Sequence, residues 1–160
     1  MHMDGSVTYY NVLVVGDVGT ILPCNITHHP HLKLLAEVSS YEEGCRQLEY
    51  EQPDVMLVDL DLPTGDSMAL IREPQIRTYS TRTMVISKHE EEEYVIPVIE
   101  AGASSYICKQ DPPGNIAELI IRLAQGGCPL SPSIARHLLK YFQSNPNAVN
   151  ISEKEKEVLV

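Results

Sequence analysis

No apolar run in this 160-residue chain approaches 18 residues, the least a helix needs to cross a membrane. The N-terminus lacks the basic-then-apolar order of a secretory leader. A cytoplasmic protein without membrane association is the expectation. The four cysteines, Cys24, Cys45, Cys108 and Cys128, lie far apart with no C-x-x-C pair. That spacing argues against a zinc site and against a disulfide framework, and for four reduced thiols. Basic residues are scarce, with 12 Lys and Arg against 22 Asp and Glu. The imbalance is local: residues 9–128 hold 8 basic and 18 acidic residues, and the rest of the chain holds 4 of each. A surface that acidic repels phosphate backbones, so this segment alone is not expected to bind nucleic acid. Neither internal repeats nor low-complexity tracts are present.

What the chain does have is 43% apolar residues, enough for a core at this length. Short apolar runs alternate with amphipathic stretches, the pattern of a parallel sheet covered by helices. The runs are residues 11–15 (NVLVV), 32–38 (LKLLAEV), 54–58 (DVMLV), 83–87 (TMVIS) and 105–108 (SYIC). Helices are expected over 41–51 behind Ser39-Ser40, over 67–73 before Pro74, and over 90–101 before Gly102. Two more follow, over 113–125 before Gly126-Gly127 and over 131–143. Pro97 predicts a kink or early break in the 90–101 helix. Between the first two strands, residues 18–31 carry Gly19, Pro23 and Pro30, so any helix there is short. Residues 144–150 (SNPNAVN) read as a linker, and Ser152 with Glu155 forms a capping box that starts another helix. Met1-His2-Met3 before Asp4-Gly5-Ser6 reads as a remnant of cloning, so residues 1–8 are expected to stand outside the fold.

In open α/β sheets ligands gather at the carboxyl ends of the strands. Those ends carry Asp17, Asp59, Ser87 and, just beyond the last strand, Lys109. Two carboxylates suit a hard divalent cation, Mg2+, which takes one or two protein carboxylates and keeps waters. An aspartate beside such an ion is suited to attack a phosphoryl group, because the ion offsets repulsion between two anions. Lys109 and Ser87 would hold phosphoryl oxygens, one by charge and the other by a hydrogen bond.

The VMLVDLDLP segment at 55–63, the VIS strand end at 85–87 and AGASSYICK at 101–109 resemble the receiver domains of two-component response regulators. The resemblance covers roughly residues 9–128. GGCPLSPSIARHLL at 126–139 and ISEKEKEVLV at 151–160 are similar to the NarL/LuxR-type subfamily. It implies a doubly wound, flavodoxin-like sheet of five parallel strands in the order 2-1-3-4-5, with helices on both faces. It divides the chain into a receiver at 9–128, a linker helix and linker at 129–150, and at 151–160 the start of a helix-turn-helix domain that is otherwise missing. The function implied is not enzymatic. Asp59 would accept a phosphoryl group from a histidine kinase, Asp17 and Asp59 would bind Mg2+ directly, and Asp61 would add its backbone carbonyl. Ser87, Lys109 and Tyr106 would form the phosphate-binding switch, controlling homodimerisation and DNA binding through the attached domain.

The first helix region is shorter than the family's and broken by proline, and two positions also depart from the family pattern. Gly16 stands where a second acid is usual, and Lys88 adds a cation where a small residue is common. These departures support an alternative reading, an atypical receiver that dimerises or binds partners without phosphorylation. A third reading is a haloacid dehalogenase-type phosphatase. Asp59-Leu60-Asp61 imitates its D-x-D opening, but Pro63 is out of place and late clustered acids are lacking. Elsewhere, the Asp61 side chain reads as an exposed acid, Glu90–Glu93 as a solvated helix start, and His28, His29 and His31 as a solvated loop rather than a metal site.

Overall fold

Five residues of unbroken burial, Val55–Asp59, set the centre of the architecture. A strand with no exposed face must be covered on both sides. The computed structural model describes residues 1–5, 7–16, 26–61, 67–109 and 115–144. Its strands are β1 (His2–Asp4), β2 (Val7–Val15), β3 (Leu32–Val38), β4 (Val55–Asp59), β5 (Arg82–Ser87) and β6 (Ser105–Cys108). The helices are α1 (Tyr41–Glu51), α2 (Ser67–Ile76), α3 (Glu92–Glu100), α4 (Ile116–Ala124) and α5 (Pro132–Ser144). Strands β3, β2, β4, β5 and β6 lie side by side and all pair in parallel. This is the doubly wound order expected.

Among the described residues the sheet has six strands rather than five. β1 pairs antiparallel with β2, His2 opposite Tyr9 and Asp4 opposite Val7. Residues set aside as extraneous therefore belong to the sheet. β2 begins at Val7, well before β4 joins it at Val12. A strand that overhangs its neighbour leaves main-chain N–H and C=O groups unpaired, and β1 supplies partners for them. Gly5, at φ +63°, makes the reversal between the two strands.

Alternate residues of the strands feed two apolar layers. Leu13, Met56, Val58 and Val85 pack with Leu48 of α1, Leu70 and Ile71 of α2, Val95 of α3 and Ile134 of α5. On the opposite face, Val14, Leu57, Met84 and Ile86 pack with Ile26 and with Ile116, Ile120 and Leu123 of α4.

Capping follows the sequence. Ser40 accepts from the Glu43 N–H at 3.2 Å to start α1, and Asn115 accepts from the Glu118 N–H at 3.4 Å to start α4. The α4 start thus falls at Ile116, with residues 110–114 outside the described set. The helix end expected before Pro74 does not occur, nor does an early break at Pro97. α2 runs through Pro74 to Ile76, and α3 through Pro97 to Glu100. A proline interrupts one helical hydrogen bond, and here burial of Leu70, Ile71 and Pro74 in α2, and of Val95 and Val98 in α3, holds both helices to the sheet.

α5 is docked rather than free. Leu130 bridges Tyr106, the Ser131 N–H donates to the Tyr106 carbonyl at 3.1 Å, and the Ser131 hydroxyl accepts from the Cys108 N–H at 2.8 Å. These contacts cover the outer edge of β6 and seat Ile134 in the core. No helix among the described residues is long and apolar enough to cross a membrane. Ser144, expected to open the linker, ends α5, and Asp17, Cys24, the rest of that linker and the capping box lie outside the described residues.

Candidate functional site

Parallel register brings three strand ends to one rim. Asp59 pairs with Ile86 across β4 and β5, and Ser87 pairs with Cys108 across β5 and β6. Lys109 follows directly, its N–H donating to the Ser87 carbonyl at 2.7 Å. Ser87 and Asp59 are buried.

The chemistry centres on Lys109. Its ammonium donates to both oxygens of Asp59, Oδ1 at 3.0 Å and Oδ2 at 3.1 Å. It also reaches Asp61 Oδ2 at 3.1 Å. The Asp61 N–H donates to Asp59 Oδ1 at 2.9 Å, so the chain turns tightly after β4 and brings the second carboxylate back to the first. Asp61 Oδ1 accepts from the Ser87 hydroxyl at 2.9 Å, and Asp61 Oδ2 accepts from the Lys88 N–H at 2.9 Å. Behind this, the His89 N–H donates to Ser87 Oγ at 3.0 Å, and the Tyr106 hydroxyl donates to the His89 carbonyl at 2.7 Å. Tyr106 is entirely buried.

Protonation follows from these contacts. Burial works to raise the Asp61 carboxyl, but the Lys88 N–H, the Lys109 ammonium and the Ser87 hydroxyl outweigh it and hold the group below its ordinary range. Burial works to lower the Lys109 ammonium, and its bonds to Asp59 and Asp61 raise it above the ordinary value. Burial pushes the Tyr106 phenol up to about 12, against a smaller opposing pull from Ser87. At neutral pH the rim therefore holds a charged Asp61, a charged Lys109 and a neutral phenol that keeps its proton to donate.

The structure brings together Asp59, Ser87, Lys109 and Tyr106, and Asp17 lies outside the described residues. Asp61 corrects the sequence reading. Its side chain is only 11% exposed and gathers more donors than Asp59 itself. The position two residues after a strand-end aspartate, where an N–H reaches back to the carboxylate, was the available signal. Main-chain groups of Lys88 and His89 were also missed, because a backbone N–H or carbonyl leaves no mark in a sequence. The Lys88 side chain is exposed, and its contribution to the rim is its N–H.

For Mg2+ the donor set is of the right kind: oxygen only, with carboxylates and a carbonyl. Among the described residues, no group of three or more His, Cys, Asp or Glu side chains is placed to hold a metal ion, the loop of His28, His29 and His31 included. Gly16 closes β2 at φ +112° and donates its N–H to the Val38 carbonyl at 2.7 Å. That conformation disfavours any residue with a side chain, so an acid at this position would be strained unless the backbone changed.

Residues 24–121 match the family model of the response regulator receiver domain. The transcriptional regulatory protein DegU of Brevibacillus brevis is 29% identical over 126 residues, spanning 79% of this chain and 52% of DegU. The chain spans between about half and two thirds of the length of the curated relatives it matches. Among solved structures, a LuxR-family two-component response regulator from Aurantimonas superposes with a TM-score of 0.73 at 22% identity, covering 84% of this chain and 98% of that one. RcsB from Salmonella enterica serovar Typhimurium, bound to a promoter in the presence of the phosphomimetic BeF3−, superposes at 0.70 with 19% identity, covering 83% and 68%. None of this similarity points to a haloacid dehalogenase-type phosphatase. The chain belongs to the response regulator receiver domain family, and its relatives are regulators of the NarL, DegU and LuxR type.

Proposed function

We propose that this chain is a phosphorylatable receiver in which Asp59 accepts a phosphoryl group from the phosphohistidine of a sensor kinase. The observation that carries this reading is the Lys109 ammonium on both oxygens of a buried Asp59, beside the Ser87 hydroxyl. An Asp59 oxygen attacks phosphorus, the P–O bond forms as the P–N bond breaks, and the departing imidazole takes up a proton. Lys109 and Ser87 then neutralise and orient the phosphoryl oxygens. Mg2+ would be held by Asp59, the Asp61 carbonyl and Asp17, where it offsets the repulsion between carboxylate and phosphoryl. The Ser87–His89–Tyr106 chain of hydrogen bonds ties this rim to β6 and to the surface beside α3. Through that surface phosphorylation would govern homodimerisation and the DNA binding of an attached domain.

Incubation with Mg2+ and acetyl phosphate tests the reading. One phosphoryl group per chain, acid-stable, base-labile and lost in Asp59→Asn, is the expected result by intact mass. An unmodified chain, or modification that survives Asp59→Asn, overturns it.

A second reading, an atypical receiver working without phosphorylation, is favoured by one observation: Gly16 takes a glycine conformation where the family carries an acid. A chain that is dimeric before treatment and unchanged by Asp59→Ala in sedimentation would select it.

A further inference from the structure

The donors that a phosphoryl group on Asp59 would require are already taken. Ser87 gives its hydroxyl to Asp61 Oδ1, and Lys88 gives its N–H to Asp61 Oδ2. Lys109 divides its ammonium between Asp61 and Asp59. A serine hydroxyl and a backbone N–H each have a single hydrogen to donate. Neither serves Asp61 and a phosphoryl oxygen together. A phosphoryl group would also add a further anion beside two carboxylates that share one ammonium, in a setting only 8% exposed at Asp59 and 11% at Asp61. Low exposure leaves little solvent to screen that repulsion.

We propose that the Asp61 carboxylate is a resident anion in the phosphoryl-binding donors of this chain, and that it competes directly with phosphorylation of Asp59. The proposal rests on the reading of Asp59 as acceptor and assigns Asp61 a gating role. Phosphoryl binding requires the Asp61 side chain to leave Ser87 and Lys88. The Asp61 N–H, which donates to Asp59 Oδ1, can stay in place, because the carboxylate leaves by rotation about the Asp61 Cα–Cβ bond. Until the side chain leaves, the same carboxylate keeps Ser87 oriented, with Ser87 Oγ accepting from His89 and the His89 carbonyl receiving Tyr106. Asp61 thus sets the threshold at which this receiver responds to a phosphodonor.

The test is a titration of the full chain with beryllofluoride and Mg2+, followed by amide NMR at Ser87, Lys88 and Lys109. Acetyl phosphate labelling by intact mass runs in parallel. Removing a competing charge-assisted bond in Asp61→Ala should tighten beryllofluoride binding by about tenfold and speed labelling by a similar factor. Asp61→Asn, which keeps the shape and an acceptor oxygen, should fall between, and it serves if Asp61→Ala is poorly folded. Before any ligand is added, the Lys88 amide resonance should move in both variants. Equal or weaker binding in the variants overturns the gate while leaving Asp59 as acceptor. A Lys88 resonance that does not move also overturns it. If neither wild type nor variant takes beryllofluoride or label, the reading of Asp59 itself falls, and the gate with it.

Discussion

The two ends of β4 each present an aspartate, and the two are used in opposite ways. At the amino end, Asp54 receives the Asn11 N–H at 2.8 Å, His2 Nε2 at 3.0 Å and the N-terminal ammonium at 3.5 Å. Its own main chain is tied to both neighbours, with its N–H donating to the Asn11 carbonyl and its carbonyl accepting from Arg82, each at 3.0 Å. At the carboxyl end, Asp59 meets a side-chain ammonium that it shares with Asp61. The Asp54 contacts staple a hairpin to the sheet, with a backbone N–H that cannot be redirected. Asp59 also receives a backbone N–H, that of Asp61, but its other donor is the Lys109 ammonium on a flexible stem, and the Ser87 hydroxyl beside it sits on Asp61. Asp54 is thus held by contacts that fix a hairpin, and Asp59 by a cation that a second carboxylate shares.

The sharpest way to break this contrast is Lys109→Ala. It leaves two carboxylates in a mostly buried rim without their shared cation, and stability should fall by about 2 kcal/mol, less than for a fully buried pair because Lys109 is partly exposed. Urea unfolding measures the fall, and acetyl phosphate labelling should be lost as well. Next comes Gly16→Asp, the substitution that restores the family's acid. At a φ of +112° it should cost about 1 kcal/mol or more. A thermal unfolding midpoint equal to wild type would show that the backbone accommodates an acid there.

The pH dependence tests the carboxyl end of β4 through Asp61. The Asp61 carboxyl is lowered in the folded chain, so it contributes stability that is present above the unfolded carboxylate value of about 3.9 and is lost as pH falls through the folded value. Denaturant midpoints from about pH 5 downward should therefore fall less steeply in Asp61→Asn than in wild type. Asp54→Ala is expected to have the smallest effect. It removes a partly exposed staple worth about 0.5–1 kcal/mol and leaves phosphoryl labelling of Asp59 unchanged. A change in labelling would show that the two ends of β4 are coupled.

Much of this was legible in the sequence because it is local. The continuous apolar run before Asp59 marks a strand buried on both faces, and its last residue must emerge at a rim. Ser40 and Gly102 mark a helix start and a helix end by their own backbone preferences. β1 was not legible, because His2-Met3-Asp4 has no strand pattern of its own and pairs only where β2 overhangs β4. The persistence of α2 and α3 through Pro74 and Pro97 was hidden for a related reason: what holds them is burial against other elements.

The sequence by itself determined the alternation of strands and helices, and hence which rim would carry Asp59, Ser87 and Lys109. These follow from periodicities of two and 3.6 residues and from residue order along the chain. Only the tertiary structure decided what the rim holds. Asp61 turned from an expected exposed acid into the acceptor of Ser87, Lys88 and Lys109. Two of those partners lie on β5 or next to it and the third follows β6, and which groups meet across a sheet is set by register, which no single segment contains.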